Sequence, residues 1–238
     1  MKHTFIIALC FISITVRSQP GFYFQSFAGP GAANISHVDY TSHTWSDDYT
    51  VNFDAGAMVG YQLDKWIFTA GLEYLRTGSK VPFALTDPLG NPAGTAWIHN
   101  QFSHVVLPLE VGRLFKIGKK LAFTPFAGVG LSYNISASQK DDFNNEIHHI
   151  PGGISNTYTG GTGVYGLAQA ELAYPFTPHL SVTLAPTFNY MLSRMIFPQF
   201  NPNTVWDHDY SLLFDIGVKW QFQKQKKHSG TKSVGVNN

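Results

Sequence analysis

The chain has 238 residues, a formal net charge of +1, 13% charged and 15% aromatic residues, and one cysteine. A charge this close to neutral provides no field for nucleic acid, so nucleic acid is not expected as a partner. A soluble domain carries about 25% charged residues, so the low charged fraction favours a chain that contacts lipid.

The first eighteen residues have the pattern of a secretory signal peptide. The basic start MKH precedes the apolar run FIIALCFISITV, and Ser18 provides a small residue for cleavage. Cleavage after Ser18 leaves Gln19 as the mature N-terminus and removes Cys10. Neither disulfide nor thiol chemistry is therefore expected in the mature chain.

Eight segments of alternating apolar and polar residues follow, each long enough to cross a bilayer as a strand. They are about 21–32, 51–62, 65–76, 104–115, 120–134, 163–175, 179–192 and 209–222. Short connections alternate strictly with long ones, and the long ones are 33–50, 77–103, 135–162 and 193–208. This alternation is typical of outer-membrane barrels, which have short periplasmic turns and long extracellular loops. We therefore predict an all-β fold over 19–222, an eight-stranded antiparallel transmembrane β-barrel integral to the bacterial outer membrane, with both mature termini in the periplasm.

The alternation also predicts which face of each strand meets lipid. Large apolar side chains occupy one face, whereas Gly, Thr, Ser and carboxylates occupy the other. The apolar face is expected to point outward and the small polar face to line the lumen. Aromatic residues near the strand ends are interpreted as membrane girdles, and Phe102 is assigned to the girdle beside the long loops.

Six charged residues are predicted to share the lumen. They are Asp54, Glu73, Glu110, Glu171, Asp215 and Lys219. Five of these residues are carboxylates and one is a lysine, and buried like charges need protons or cationic partners. The set therefore indicates either a hydrogen-bonded plug or a site that binds protons or cations. The plug is favoured because the interior of an eight-stranded barrel is just wide enough for side chains to fill.

No other residues form a convincing catalytic or metal-binding pattern. His148 and His149 lie near acidic residues, but adjacent side chains of an extended segment point apart, so no metal site is predicted. His179 and Ser181 have the His-x-Ser spacing of some lipid A deacylases, but they fall at a predicted periplasmic turn, away from an outer-leaflet substrate. We therefore predict no catalytic residues, no metal and no cofactor.

Aromatic residues in the long loops form a candidate contact surface. They are Trp97, Phe197, Phe200 and Trp206, and they lie among prolines that favour a rigid surface. Other envelope proteins are expected to bind here, unless the loops pack on each other as a lid, while the barrel wall contacts outer-membrane lipid. Residues 223–238 form a basic C-terminal tail that is predicted to be disordered.

Several stretches resemble one known family. The predicted signal peptide is followed by Gln19, LPLE follows the second long loop at 107–110, and PFAGVGLSY follows the lysine-rich turn at 125–133. Over most of 20–222, the chain is similar to the PorT-like outer-membrane β-barrel family of Bacteroidota. The resemblance implies a role connected with type IX secretion and assigns no catalytic residue. Barrels of this type usually end on an aromatic residue, whereas here Phe222 precedes the tail. This leaves either an internal insertion signal at Phe222 or a different last strand.

The expected function is that of a non-enzymatic barrel, a structural or accessory component of an envelope assembly such as type IX secretion. Two alternatives stay open at this point. One is transport or binding of a small solute or cation through the lumen, and the other is a lipid-modifying barrel enzyme.

Overall fold

The computed structural model of the protein describes residues 21–39, 44–118, 120–141, 147–150, 162–193 and 204–222. The predicted signal peptide and the predicted basic tail lie outside these residues, as do Phe197 and Phe200 of the candidate contact surface. None of the described residues forms a helix with the length and apolar character needed to cross a membrane.

The described part of the chain contains eleven strands in one antiparallel sheet. They are β1 (Phe22–Asp39), β2 (Thr44–Ser46), β3 (Thr50–Leu63), β4 (Trp66–Thr86), β5 (Pro92–Arg113), β6 (Phe115–Ile117), β7 (Leu121–Asp141), β8 (Ile147–Ile150), β9 (Thr162–Pro175), β10 (Leu180–Met191) and β11 (Thr204–Gln221). Eight of them form a ring in the order β1, β3, β4, β5, β7, β9, β10 and β11, and β11 pairs again with β1. The short strands β2, β6 and β8 add to β1 and β7. The predicted fold class, an all-β eight-stranded antiparallel barrel, is therefore confirmed.

The ring is closed by an extended seam between the first and last strands. The pairing of β1 with β11 extends from Tyr23 opposite Gln221 to Asp39 opposite Thr204. Each barrel strand therefore has two neighbours, and its backbone N–H and C=O groups can be paired within the sheet. This is the condition that hydrocarbon surroundings impose on any spanning structure.

Side chains alternate between the outside and the inside of the barrel as the sequence predicts. On β11, Leu212 is 46% exposed and Ile216 is 61% exposed, whereas Leu213 and Asp215 between them are buried. The assignment of Phe102 to a girdle was wrong, because this side chain is buried inside the barrel. Phe102 and Glu110 lie an even number of residues apart on the same strand, that is, they have the same parity. Side chains of the same parity share one face of a strand, so alternation places Phe102 in the lumen.

The largest difference from the predicted strands is a long hairpin formed by β4 and β5. Residues 77–103 were expected to be a loop, but the two strands stay paired from Thr77 opposite Phe102 to Leu85 opposite Gly94. Trp97 of the candidate contact surface is therefore a half-buried strand residue rather than a loop residue. The strands continue because backbone pairing needs a partner strand, not a lipid-facing pattern of side chains.

A compact turn closes this hairpin. Asp87 accepts hydrogen bonds from the backbone amides of Leu89 and Asn91, at 2.9 and 2.8 Å, and from the Asn91 side chain. The hydrogen bonds from the Asn91 side chain and backbone hold the pKa of Asp87 below its usual range. Gly90 follows with φ of 84°, a left-handed conformation that favours glycine.

The three other predicted long loops are also partly strand, and β11 begins at Thr204, within 193–208. β1 continues to Asp39 and pairs with β2, so 33–50 is not a single loop. β7 continues to Asp141, and β8 pairs beside it with Ile150 opposite Ala137. His148 and His149 lie in β8, within the predicted loop 135–162.

Aromatic rings cover glycines at three cross-strand pairs inside the barrel. The pairs are Tyr23 with Gly60, Phe27 with Gly56, and Phe126 with Gly112. A Cβ atom on each glycine would lie 2.0, 2.6 and 2.4 Å, respectively, from the nearest ring atom. Each glycine therefore provides the space that a ring occupies on the neighbouring strand.

Candidate functional site in the barrel lumen

The lumen is layered along the barrel axis. We call the end with the connections at 64–65, 114–120 and 176–179 the short-turn end, and the opposite end the long-loop end. Along β11, from the short-turn end, Lys219 is followed by Asp215, Leu213 and Asp209. On β4 and β5, Glu73 and Glu110 likewise lie nearer the short-turn end than the buried Leu75 and Val106. The lumen thus has an ion pair, a group of carboxyls and a group of apolar side chains in succession.

The layer nearest the short-turn end is an ion pair between Lys219 and Glu171. The ammonium group of Lys219 donates to Oε1 of Glu171 and lies 4.5 Å from the centre of the Tyr23 ring. Gln25 donates from Nε2 to the other carboxylate oxygen of Glu171, at 2.9 Å. Glu171 is fully buried, so these donors replace the water that a carboxylate needs.

The next layer, which we call the acidic group, consists of Asp54, Glu73, Glu110 and Asp215. Their side chains are buried, and in the described part of the chain none of them forms an ion pair with a lysine or arginine. All four line one cavity of ≈ 10 Å³, which is about the smallest space that can hold one water. At this level the lumen is therefore filled by side chains.

Two threonine hydroxyls supply polar contacts to the acidic group. Thr187 donates to Asp215 at 2.5 Å, and Thr69 donates to Glu110 at 3.2 Å. All four carboxyls line the same small space, and buried like charges need protons or cationic partners. The acidic group therefore has the chemistry of a proton or cation site as well as of a plug.

The third layer, which we call the apolar plug, was not expected from the sequence. It is formed by the buried side chains of Ile35, Leu75, Phe102, Val106, Ala137, Tyr165, Leu167, Met191 and Leu213. These residues come from most of the barrel strands, so the plug extends across the lumen. Most of them have the parity of other lumen residues on their strands, whereas Ala137 follows the register shift between β5 and β7.

A polar cluster is embedded beside the apolar plug. The hydroxyl of Tyr165 donates to Oδ2 of Asp209 at 2.9 Å, and Nε2 of His104 lies 4.0 Å from the same oxygen. The rings of His104 and Tyr165 meet edge to face with centroids 5.9 Å apart. Sequence reasoning missed His104 and Asp209, although both have the parity of known lumen residues on their strands.

Within the described part of the chain, the remaining candidate residues are not brought into a catalytic or metal-binding arrangement. His179 contacts the carbonyl oxygen of Gln221 through Nδ1 at 3.2 Å and stacks on Trp220, whereas Ser181 lines a cavity inside the barrel. Among the described residues, no group of three or more His, Cys, Asp or Glu side chains could hold a metal ion. Trp206 lies in β11, on a different strand from Trp97.

Comparison with known proteins gives similarities of structure only. No family model and no curated protein matches the chain. Neisserial surface protein A is 15% identical, with a TM-score of 0.45 over 85% of this chain and 97% of that one. The outer membrane protease OmpT from Escherichia coli is 8% identical, with a TM-score of 0.45 over 85% and 97%. The outer membrane protein OprG from Pseudomonas aeruginosa is 13% identical, with a TM-score of 0.34 over 87% and 98%.

The class of this protein follows from its own ring of strands and its own surface. Leucine, valine, isoleucine, phenylalanine and tryptophan side chains cover the outside of the ring, with exposed fractions of 43% to 53% for Phe24, Leu109, Val129, Leu184 and Phe214. A closed antiparallel ring with an apolar exterior is the architecture of a transmembrane β-barrel of the outer-membrane type.

Proposed function

We propose that this chain is a non-enzymatic outer-membrane β-barrel with a non-conducting lumen, and that it serves as a structural or accessory component of an envelope assembly. The main support for this proposal is the apolar plug. A hydrated ion would have to lose its water to pass a layer of packed apolar side chains, and such constrictions close channels to ions. The filled space between the carboxyls of the acidic group supports the same conclusion.

Conductance measurements test the proposal. The purified barrel, inserted into planar lipid bilayers, is expected to give no steady ionic current, with a general porin inserted under the same conditions as the positive control. Reproducible current steps from the pure protein would contradict the proposal.

The second candidate function is cation transport or binding through the lumen, and the acidic group favours it. Four buried carboxyls without a lysine or arginine partner in the described chain would make any pore cation-selective. Cation-selective steps that disappear in a variant carrying both Glu73→Gln and Glu110→Gln would establish this function in place of the first.

We further propose that the long-loop end faces the outside of the cell and that both mature termini are periplasmic. The support is the length difference between the two sets of connections, which is the pattern of bacterial barrels. Protease added to whole cells should cleave within 151–161, a Gly-rich polar segment. Cleavage at 64–65 or 176–179 instead would reverse this orientation.

The resemblance to the PorT-like family leads us to propose type IX secretion as the assembly concerned. Deleting the gene in the source bacterium should remove type IX cargo from the medium while leaving other outer-membrane proteins at their normal levels. A complementing wild-type gene should restore export. Normal export in the deletion strain would refute this role and would leave the proposal of a closed barrel unaffected.

A further inference from the structure

A cavity at the short-turn end of the barrel is separate from the filled lumen above it. Its volume is ≈ 390 Å³, within the range of pockets that hold small ligands. Lys219 and Glu171 line it on the side of the lumen. Lys116 of β6 lines it at the open end, as do Gly118 and Lys120 of the turn that follows. The turn and the ion pair thus bound a chamber inside the barrel.

The charge of this chamber is positive. Three lysines line it, and Glu171 is the only carboxylate among its described lining residues. Glu171 already accepts hydrogen bonds from Lys219 and Gln25, so its charge is matched within the wall. Lys116 and Lys120 are exposed, and no carboxylate among the described lining residues balances their two positive charges.

The rest of the wall is partly apolar. Ile67, Leu114 and Leu121 give it an apolar side, and Thr124 and Ser181 add hydroxyls. Lysine ammonium groups act as point charges, without the planar fork of arginine that matches phosphate or carboxylate in pairs. A wall with these side chains can bind a small molecule or peptide segment that has one anionic group next to a short apolar chain.

We propose that the chamber is a binding site for a carboxylate that carries a short apolar chain, with Lys116 and Lys120 holding the carboxylate. The carboxylate could belong to a free small acid or to an acidic peptide segment of another protein. The proposal does not depend on the function proposed above, since the chamber lies below the plug and needs no conduction through it.

Binding can be measured on the full mature chain in neutral detergent micelles at low salt by NMR. Hexanoate represents the free acid, a short peptide with a leucine beside two aspartates represents the protein segment, and 1-hexanol is the uncharged control. Hexanoate, the peptide or both should shift the backbone amide signals of Thr124 and Ser181 saturably, while 1-hexanol should not. The probe that binds identifies the source of the carboxylate.

The lysines are tested by a double variant, Lys116→Gln with Lys120→Gln, and by Lys65→Gln as the matched control. Lys65 lies in another short turn at the same end but does not line the chamber. The double variant should weaken binding by about tenfold, from the loss of two exposed charge interactions. Lys65→Gln should change binding less than about twofold. Failure of both probes to bind, equal binding of 1-hexanol, or equal losses in the two variants would overturn the proposal.

Discussion

Single residues set the packing at the short-turn end, and the Tyr23–Gly60 pair is the tightest example. The Tyr23 ring occupies the position of a Cβ atom at Gly60, so Gly60→Ala forces the buried ring to move. We expect Gly60→Ala to lower the free energy of unfolding by about 1–3 kcal/mol, the usual cost of overpacking. The measurement is urea unfolding of the barrel in detergent.

Gly166→Ala is the control for this substitution. A Cβ atom there would lie 3.5 Å from the nearest side-chain atom, on Leu192, which is an ordinary contact. The free energy of unfolding should change by less than about 0.5 kcal/mol. Equal losses for Gly60→Ala and Gly166→Ala would mean that the ring does not need the glycine.

The Lys219–Glu171 pair gives a second prediction at this scale. Lys219→Ala leaves Glu171 buried without a cation, which should cost about 3–5 kcal/mol of unfolding free energy. The double variant Lys219→Met with Glu171→Gln removes the uncompensated charge and should recover most of the loss. If Lys219→Ala proves as stable as the wild type by urea unfolding, Glu171 cannot depend on this lysine for its charge balance.

Residues inside the barrel were only partly predictable. Parity located the six charged lumen residues, because alternation in a strand assigns faces from the sequence alone. It could not assign partners, since the pairing of Lys219 with Glu171 depends on strands β9 and β11 meeting across β10. Phe102 and Leu213 were harder still, because an apolar residue at a lumen position is not distinguished from a lipid-facing one by its type.

At the scale of a strand, two neighbouring leucines on β11 test the assignment of faces. Leu213 is 0% exposed within the apolar plug, and Leu212 is 46% exposed on the outer wall. Leu213→Ala should leave a cavity and lower the unfolding free energy by about 2–5 kcal/mol. Leu212→Ala should cost clearly less, because lipid chains can fill the space that the side chain leaves.

The same urea unfolding experiment decides between the two positions. A larger loss at Leu212 than at Leu213 would mean that the faces of β11 have been exchanged. Leu212→Arg adds an independent check, since a cation on the lipid face near the bilayer midplane costs about 2–4 kcal/mol.

The barrel strands within the bilayer were predictable, and their extensions were not. For β3, the predicted 51–62 differs little from Thr50–Leu63, because lipid outside and packed side chains inside impose a two-residue period. Beyond the bilayer, the side chains of β4 and β5 no longer lie between lipid and a packed lumen. The two-residue period of apolar side chains is therefore lost there, although the backbones stay paired. The hairpin therefore had the composition of a loop and the hydrogen bonding of a sheet.

For the whole molecule, closure of the ring predicts resistance to unfolding by detergent. Unheated protein in SDS should migrate faster than the boiled protein, because a closed barrel keeps its compact shape until it is heated. A chain ending at Phe222 should keep this shift, since β11 ends at Gln221. A chain ending at His208 should lose it, because most of β11 is then missing. Persistence of the shift in this shorter chain would show that the ring does not need its last strand.

The seam between β1 and β11 also has a consequence for the time course of assembly. It joins the two ends of the described chain, so β1 is made first and obtains its second neighbour last. Local hairpins such as β4–β5 can form early, whereas contacts between distant parts of a chain form slowly. Until the final strand arrives, β1 presents an unpaired edge that can recruit other chains. We therefore expect a chaperone or an insertion machine to cover the edge of β1 until β11 has paired with it.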